Sequence, residues 1–327
     1  GLGTVWANTT DGEMFVCTDA TTDANVWFNV GSGTGDVQPW VFGGTISGYR
    51  SGGETPAFVN TIDKYSFTAD GNATDVGDLV QITGYATGQS SETHGYVSGG
   101  QTGSFTNVIQ KFTFAVDGDA TDIANLTVAR GYFAGQSSST HGYASGGHSP
   151  RQNTIDKFTF AADADATDVG DLTITISNSA GQSSSTHGYN SNGSIPDRVT
   201  TVQKFAFASD GDATNVGNTT SAASYSAGIS SATHGYTCGG NTPTPVNIID
   251  RFAFASDGTA TDVGDMTGTK EGPSGTSSTT HGYTAGGYEG PPGYNNVIDK
   301  FTYAATANST DVGDLTGVTY VSVGSQV

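Results

Sequence analysis

An all-β protein, built as a six-bladed β-propeller of four-stranded blades, is what the 327 residues predict. Three observations carry that expectation. The phrase GQSSSTHGYASGG at Gly135–Gly147 returns with few changes at Gly88–Gly100 and Gly181–Gly193. Its HGY core stands at His94, His141, His187, His234 and His281, spaced 47, 46, 47 and 47 residues, and SGY at Ser47 lies one period earlier. Six copies at a fixed period mean a repeat architecture. Finally, no stretch keeps a 3.6-residue apolar period, whereas short alternating runs bounded by glycine and polar clusters recur throughout.

Each repeat holds four such runs. In the third copy they are GYFAGQS, HGYASGG, TIDKFTF and TDVGDLT. Four-stranded units repeated radially form a propeller, in which each sheet is covered on both faces by its neighbours. The third run fits that environment, with Ile155 on one face and Phe158 and Phe160 on the other. Runs two, three and four each occur six times from Ser47 onward, but the sixth copy of run one, GVTYVSVGSQ, follows the last run four. The C-terminal strand, about 318–326, is therefore expected to pair into the first blade and close the ring, removing free edges. WVFGG at Trp40–Gly44 is the competitor for that slot.

Composition bounds the function. There are 31 acidic residues against 11 basic ones, a formal net charge of −20. Such a surface repels phosphate backbones, which argues against nucleic acid as a partner. No run of about 18 apolar residues is present, so no membrane insertion is expected. Cys17 and Cys238 form neither a disulfide framework nor a metal spacing. The chain starts at Gly1 with no basic-then-apolar leader, which fits a fragment or a processed form.

The double glycine that ends run two (Gly52–Gly53, Gly99–Gly100, Gly146–Gly147, Gly239–Gly240, Gly286–Gly287), followed by an aromatic strand and a polar turn, resembles the kelch repeat over roughly residues 40 to 327. It departs from kelch where a tryptophan is expected in run four and Val76, Ile123 or Val169 stands instead. Residues 1–37 have no copy downstream and read as a separate module of two or three short strands, leaving 38–327 to the propeller. This module (Gly12, Phe15, Cys17, Thr18, Asp19, Val26, Trp27, Asn29, Val30) resembles segments of tail-fibre and other virion proteins of tailed, notably marine, bacteriophages. That resemblance implies a virion location, attachment to other virion proteins through the module, and several copies per particle.

Candidate chemistry is weighed against architecture. One histidine per blade (His94, His141, His187, His234, His281) could bind metal, but equivalent positions on a ring do not converge on one ion. The expected role is structural, with each imidazole bonded to backbone in its turn. The cation of run three (Lys64, Lys111, Lys157, Lys204, Arg251, Lys300) is expected to lie along the sheet and pair with a run-four aspartate such as Asp75 or Asp168. Alternate carboxylates such as Asp117, Asp119 and Asp122 share only their spacing with calcium loops, since Asn215, Asn218 and Thr259 interrupt the pattern. No cofactor is expected. No nucleophile elbow or P-loop is present, so no catalytic residue is assigned.

The copies differ in an ordered way. Connections one-to-two (SSST) and three-to-four (ADGDATD) are nearly constant, while two-to-three and four-to-one vary. Strands alternate in direction, so the variable connections emerge on one face. Rigid scaffolds display binding residues on such loops. The expected receptor-binding residues are Phe58, Phe105, Arg130, Arg151, Arg198, Tyr288 and Tyr294, the last two in the longest loop, beside Pro291 and Pro292. The expected function is a non-enzymatic adhesion protein of a phage tail fibre or appendage that binds a host-surface receptor, by preference a glycan. The alternatives are a secreted or surface-anchored bacterial kelch adhesin, and a glycan-cleaving propeller using loop glutamates Glu54, Glu271 and Glu289.

Overall fold

A computed structural model describes residues 1–7, 13–21, 25–30, 42–290 and 293–327. Gly12, Trp40, Val41, Pro291 and Pro292, used in the sequence expectations, lie outside the described residues. The chain divides into two compact units, Gly1–Val41 and Phe42–Val327. Among the described residues every regular element is a β-strand.

The first unit is a three-stranded antiparallel sheet of β1 (Val5–Ala7), β2 (Met14–Asp19) and β3 (Val26–Asn29), in that order. Its central strand buries Phe15 and Cys17, and Trp6 packs on Phe15 at 5.1 Å between ring centroids.

The second unit repeats one sheet six times. Sheet 1 contains β4 (Ser47–Ser51), β5 (Thr61–Ser66) and β6 (Thr74–Asp78). Sheet 2 is β7 (Thr87–Ser90), β8 (His94–Ser98), β9 (Val108–Thr113) and β10 (Thr121–Asn125). Sheet 3 is β11 (Ala134–Ser137), β12 (His141–Ser145), β13 (Thr154–Thr159) and β14 (Thr167–Asp171). Sheet 4 is β15 (Ala180–Ser183), β16 (His187–Ser191), β18 (Asp197–Ala206) and β19 (Thr214–Ala223), with the two-residue β17 (Ser194–Ile195) on β18. Sheet 5 is β20 (Ala227–Ser230), β21 (His234–Cys238), β22 (Ile248–Ala253) and β23 (Thr261–Asp265). Sheet 6 is β24 (Ser274–Ser277), β25 (His281–Tyr288), β26 (Tyr294–Thr302) and β27 (Thr310–Thr319). The last strand, β28 (Val323–Gln326), returns to sheet 1 and pairs antiparallel with β4, Val323 opposite Ser51 and Gln326 opposite Gly48. The described Phe42–Gly44 does not take that place; Gly44 instead bridges Ser278.

Three sets of contacts join consecutive sheets. Along the first strands, the backbone N–H of Ser90 donates to Ser137 Oγ, Ser137 to Ser183, Ser183 to Ser230 and Ser230 to Ser277, at 2.9–3.0 Å. Ser277 N–H donates to Gln326 Oε1, and Gln326 N–H donates to Ser90 Oγ, so the path returns to its start. These strands lie so close that a methyl on Gly88, Gly135, Gly181, Gly228, Gly275 or Gly324 would overlap the carbonyl of the preceding glycine in the series. Further out, the HGY tyrosine packs into the next sheet. Tyr96 stacks on Phe160 at 4.8 Å and tilts against Phe158 at 5.5 Å, while Ile155 is buried on the opposite face of β13. Such aromatic pairs add about 0.5–1.5 kcal/mol each beyond the area they bury.

The outermost joint corrects one expectation. The run-three lysines pair with the acidic turn of the following sheet, not with a run-four aspartate. Lys64 meets Asp117 at 2.9 Å and Lys204 meets Asp257 at 2.8 Å, with Lys111–Asp163, Lys157–Asp210 and Lys300–Asp70 equivalent. The run-four aspartate is otherwise engaged: Asp75 and Asp168 accept the N–H two residues ahead, from Gly77 and Gly170. At Arg251 the series breaks, because Thr306 stands where the other turns carry aspartate.

The histidines need a second correction. The imidazole Nδ1 bonds the preceding threonine hydroxyl and not backbone, as in Thr140–His141 at 2.8 Å, with the same pair at His94, His187, His234 and His281. The backbone is already satisfied by a serine: Ser138 Oγ accepts from His141 N–H at 3.0 Å and donates to its carbonyl at 3.3 Å.

Candidate functional site

The variable connections of each repeat are tied to one another by single bridges: Glu54 to Tyr320, Gly84 to Gln101, Gly131 to His148, Ser177 to Ser194, Ser224 to Asn241 and Glu271 to Tyr288. They therefore end together, at one end of the sheets. Just before each first strand one residue turns into the left-handed region: Tyr85 (φ 58°), Tyr132 (63°), Asn178 (58°), Tyr225 (60°), Gly272 (63°) and Val321 (50°). That conformation is uncommon for any non-glycine residue and an outlier for bulky or β-branched ones. It costs of order 1–3 kcal/mol each and persists only where the surroundings impose it.

The surroundings are a second circuit, made of backbone alone. Tyr132 N–H donates to Tyr85 O, Asn178 to Tyr132, Tyr225 to Asn178, Gly272 to Tyr225, Val321 to Gly272 and Tyr85 to Val321, at 2.7–3.2 Å. The left-handed turn points each N–H and carbonyl along the circuit and leaves the side chains of Tyr85, Tyr132, Asn178 and Tyr225 partly exposed at its mouth.

Four tyrosines gather there. Centroid separations are 4.2 Å for Tyr85–Tyr132, 6.3 Å for Tyr132–Tyr225, 6.2 Å for Tyr225–Tyr320 and 6.3 Å for Tyr320–Tyr85. Tyr85 and Tyr132 lie nearly face to face (32°), whereas Tyr85 and Tyr320 are nearly perpendicular (87°), as are Tyr132 and Tyr225 (74°). Two carboxylates border them. Glu54 accepts from the Tyr85 hydroxyl at 3.1 Å and from Tyr294 at 3.4 Å, and Glu271 accepts from Tyr320 at 3.3 Å and from Asn241. Burial pushes the Tyr225 hydroxyl up to about 12, helped by Tyr132 and the negative charge of Glu271 and opposed by the charge of Arg198. Burial and neighbouring carboxylate charge raise Tyr85 and Tyr320 further still, so all these hydroxyls stay protonated donors. Below the rings lies a cavity of about 90 Å³ lined by Tyr85, Tyr132, Asn178, Tyr225, Pro273 and Val321. It leads to a further space of about 140 Å³ between the six first strands.

Several expected receptor contacts join this cluster. Phe58 packs edge-on to Tyr85 at 5.9 Å, and Phe105 lies against Tyr132 at 6.0 Å. Tyr294 stacks on Tyr320 at 5.8 Å, and Tyr288 touches both. Arg151 and Arg198 hold equivalent places at the rim, donating to Ser177 and Ser224 at 3.2 Å, and Arg198 also reaches Asn241. Arg130 is a correction: it is fully buried and pairs with Asp156 at 3.2 Å, so it offers nothing to a receptor. Its repeat position faces inward, and its charge balances an aspartate that β13 buries. Tyr85, Tyr132, Tyr225 and Tyr320 escaped sequence reading. The signal was a tyrosine at the head of run one in three copies (TGY, RGY, ASY), visible only when the copies are aligned position by position.

Among the described residues no group of histidine, cysteine or carboxylate side chains is arranged to hold a metal. Asp117 is bound to Lys64, and Asp119 accepts from Asp78 N–H of the neighbouring sheet. No protein-family model matches the chain, and no curated protein matches it.

Proposed function

We propose that the second unit is a six-bladed, kelch-like β-propeller closed by its C-terminal strand, and that it is a non-enzymatic adhesion module binding a surface glycan at its variable end. The propeller reading is supported by three inter-sheet paths that return to their starting sheet, through serine, backbone and aromatic contacts. One observation carries the binding reading: six left-handed residues, four of them poorly suited to that conformation, include Tyr85, Tyr132 and Tyr225, which gather with Tyr320, Glu54 and Glu271 at one mouth. Strain of this kind clusters where function requires it. Ring faces with hydroxyl and carboxylate acceptors match the apolar face and hydroxyl edge of a sugar, and tyrosine is enriched at binding hot spots. The phage assignment rests on the resemblance of residues 1–37, which would fasten the module to other virion proteins and present several copies, multiplying weak affinity.

The test is binding of the full chain to host-cell envelopes before and after periodate, which cleaves sugar diols. Loss of binding after periodate but not after protease is expected. Loss after protease alone would replace glycan with protein as the receptor.

A further inference from the structure

We propose that the mouth recognises an alkylated ammonium group, held against the rings of Tyr85, Tyr132 and Tyr225 that line its cavity and attracted by the charge of Glu54 and Glu271 at the tyrosine hydroxyls. This deepens the binding reading by naming the charge of the ligand, and it rests on that reading.

Three of the four rings, Tyr85, Tyr132 and Tyr225, line one common cavity. A cation within about 6 Å of a ring centroid is attracted by the ring quadrupole, and tyrosine is among the better partners. Soft, weakly hydrated cations gain most, because little hydration is lost on entry. The cavity beneath the rings, about 90 Å³, exceeds several times the roughly 10–15 Å³ that one water needs. That is room for a group of a few heavy atoms.

The charge around it selects sign. Glu54 and Glu271 each accept from tyrosine hydroxyls of the cluster, so their negative charge lies at the ring edges. The one cation bonded into this network among the described residues, Arg198, is at the rim, engaged by Asn241 and Ser224. The chain as a whole carries −20, which draws cations toward any mouth it offers. An anionic sugar or phosphate would meet two carboxylates against one cation, Arg198, that is already engaged at the rim.

The experiment titrates the full chain with tetramethylammonium and choline in about 150 mM sodium chloride, close to physiological screening, following tyrosine fluorescence and heat. 3,3-Dimethyl-1-butanol, the uncharged shape-match of choline, is the control. A second arm compares glucosamine with N-acetylglucosamine, to separate an amino sugar from a quaternary amine as source. Choline is expected to bind about tenfold or more tighter than its neutral match, Tyr225→Ala and Glu271→Gln to weaken it severalfold, and Tyr225→Phe to retain it, since the ring face remains. Equal binding of the neutral alcohol would reduce the site to an apolar pocket. Binding unchanged in Tyr225→Ala, or no binding at all, would also overturn the proposal. Envelope binding measured on the same samples keeps the two readings apart: envelopes bound without choline affinity sink the cation and spare the face, and choline affinity without envelope binding does the reverse.

Discussion

At one end of the six sheets the SSST turns and acidic loops repeat almost residue for residue; at the other, the loops differ in sequence from sheet to sheet and the sixth is the longest. The uniform end is occupied with itself. Its lysines reach the next sheet's aspartates, its serines close the histidine turns, and its aspartates cap backbone N–H groups. The varied end keeps uniform the bridges between connections and the backbone circuit through Tyr85, Tyr132, Asn178, Tyr225, Gly272 and Val321, and lets the side chains differ. The same fold requirement is met by side chains at one end and by backbone at the other. Only the second solution frees side chains for a partner.

Breaking what both ends share has the largest effect. Deleting Val323–Val327 removes the strand that pairs with β4 and both bonds of Gln326 that complete the serine path. Loss of cooperative unfolding and aggregation through the exposed edge are expected on calorimetry and light scattering. A truncated chain that melts like the parent would refute closure by this strand.

Buried charge comes next. The third strands bury Asp63, Asp156 and Asp299 beside Arg50, Arg130 and Lys270, while Gln110 and Gln203 stand in sheets without such a cation. Arg130→Met leaves Asp156 buried and unpaired, at a cost of about 3–5 kcal/mol in urea unfolding, and adding Asp156→Asn restores most of it. Lys157→Met, which removes an exposed pair at the uniform end, costs at most about 1 kcal/mol.

Asp250 is the exception, buried with the hydroxyl and N–H of Thr220 but no ion-pair partner among the described residues. Burial raises its folded-state pKa. The folded chain therefore holds this proton more tightly than the unfolded one, and the resulting stability is lost as pH rises through the folded pKa. Asp250→Asn is expected to raise the urea midpoint at pH 7 and to change it little at about pH 3, below the unfolded carboxylate range. The histidines act oppositely: burial first, then the adjacent cation, lowers His94, His141, His234 and His281, so they withdraw stability as pH falls below 6.5. Replacing His141 with glutamine should flatten that slope slightly.

The repeat made much of this legible. Period and alternation placed all four strands of each sheet and the return of the C-terminus, because those features depend on spacing alone. Phe58, Phe105, Tyr288 and Tyr294 stand out because they lie in connections that vary between copies, and the structure sets them against the tyrosine cluster. Arg130 lies in such a connection too, yet is buried, since sequence variation marks both a free loop position and an inward one matched to Asp156 on another strand. The lysine partners were misassigned for a related reason: a contact to the next sheet is 52 or 53 residues away, while the nearer aspartate is consumed by its own turn. The tyrosine mouth depends on backbone φ, which an alternating pattern does not encode.

Binding of two variants to the same host envelopes tests most directly whether the varied end is the recognition surface. One is Tyr294→Ala with Tyr320→Ala at the mouth; the other is Asp117→Ser with Asp119→Ser at the uniform end, both first shown to melt as the parent does. The tyrosine variant is expected to lose at least about tenfold in affinity, the scale of a lost hot spot, and the aspartate variant to bind unchanged. Binding abolished by the aspartate changes and kept by the tyrosine changes would place recognition at the opposite end of the sheets.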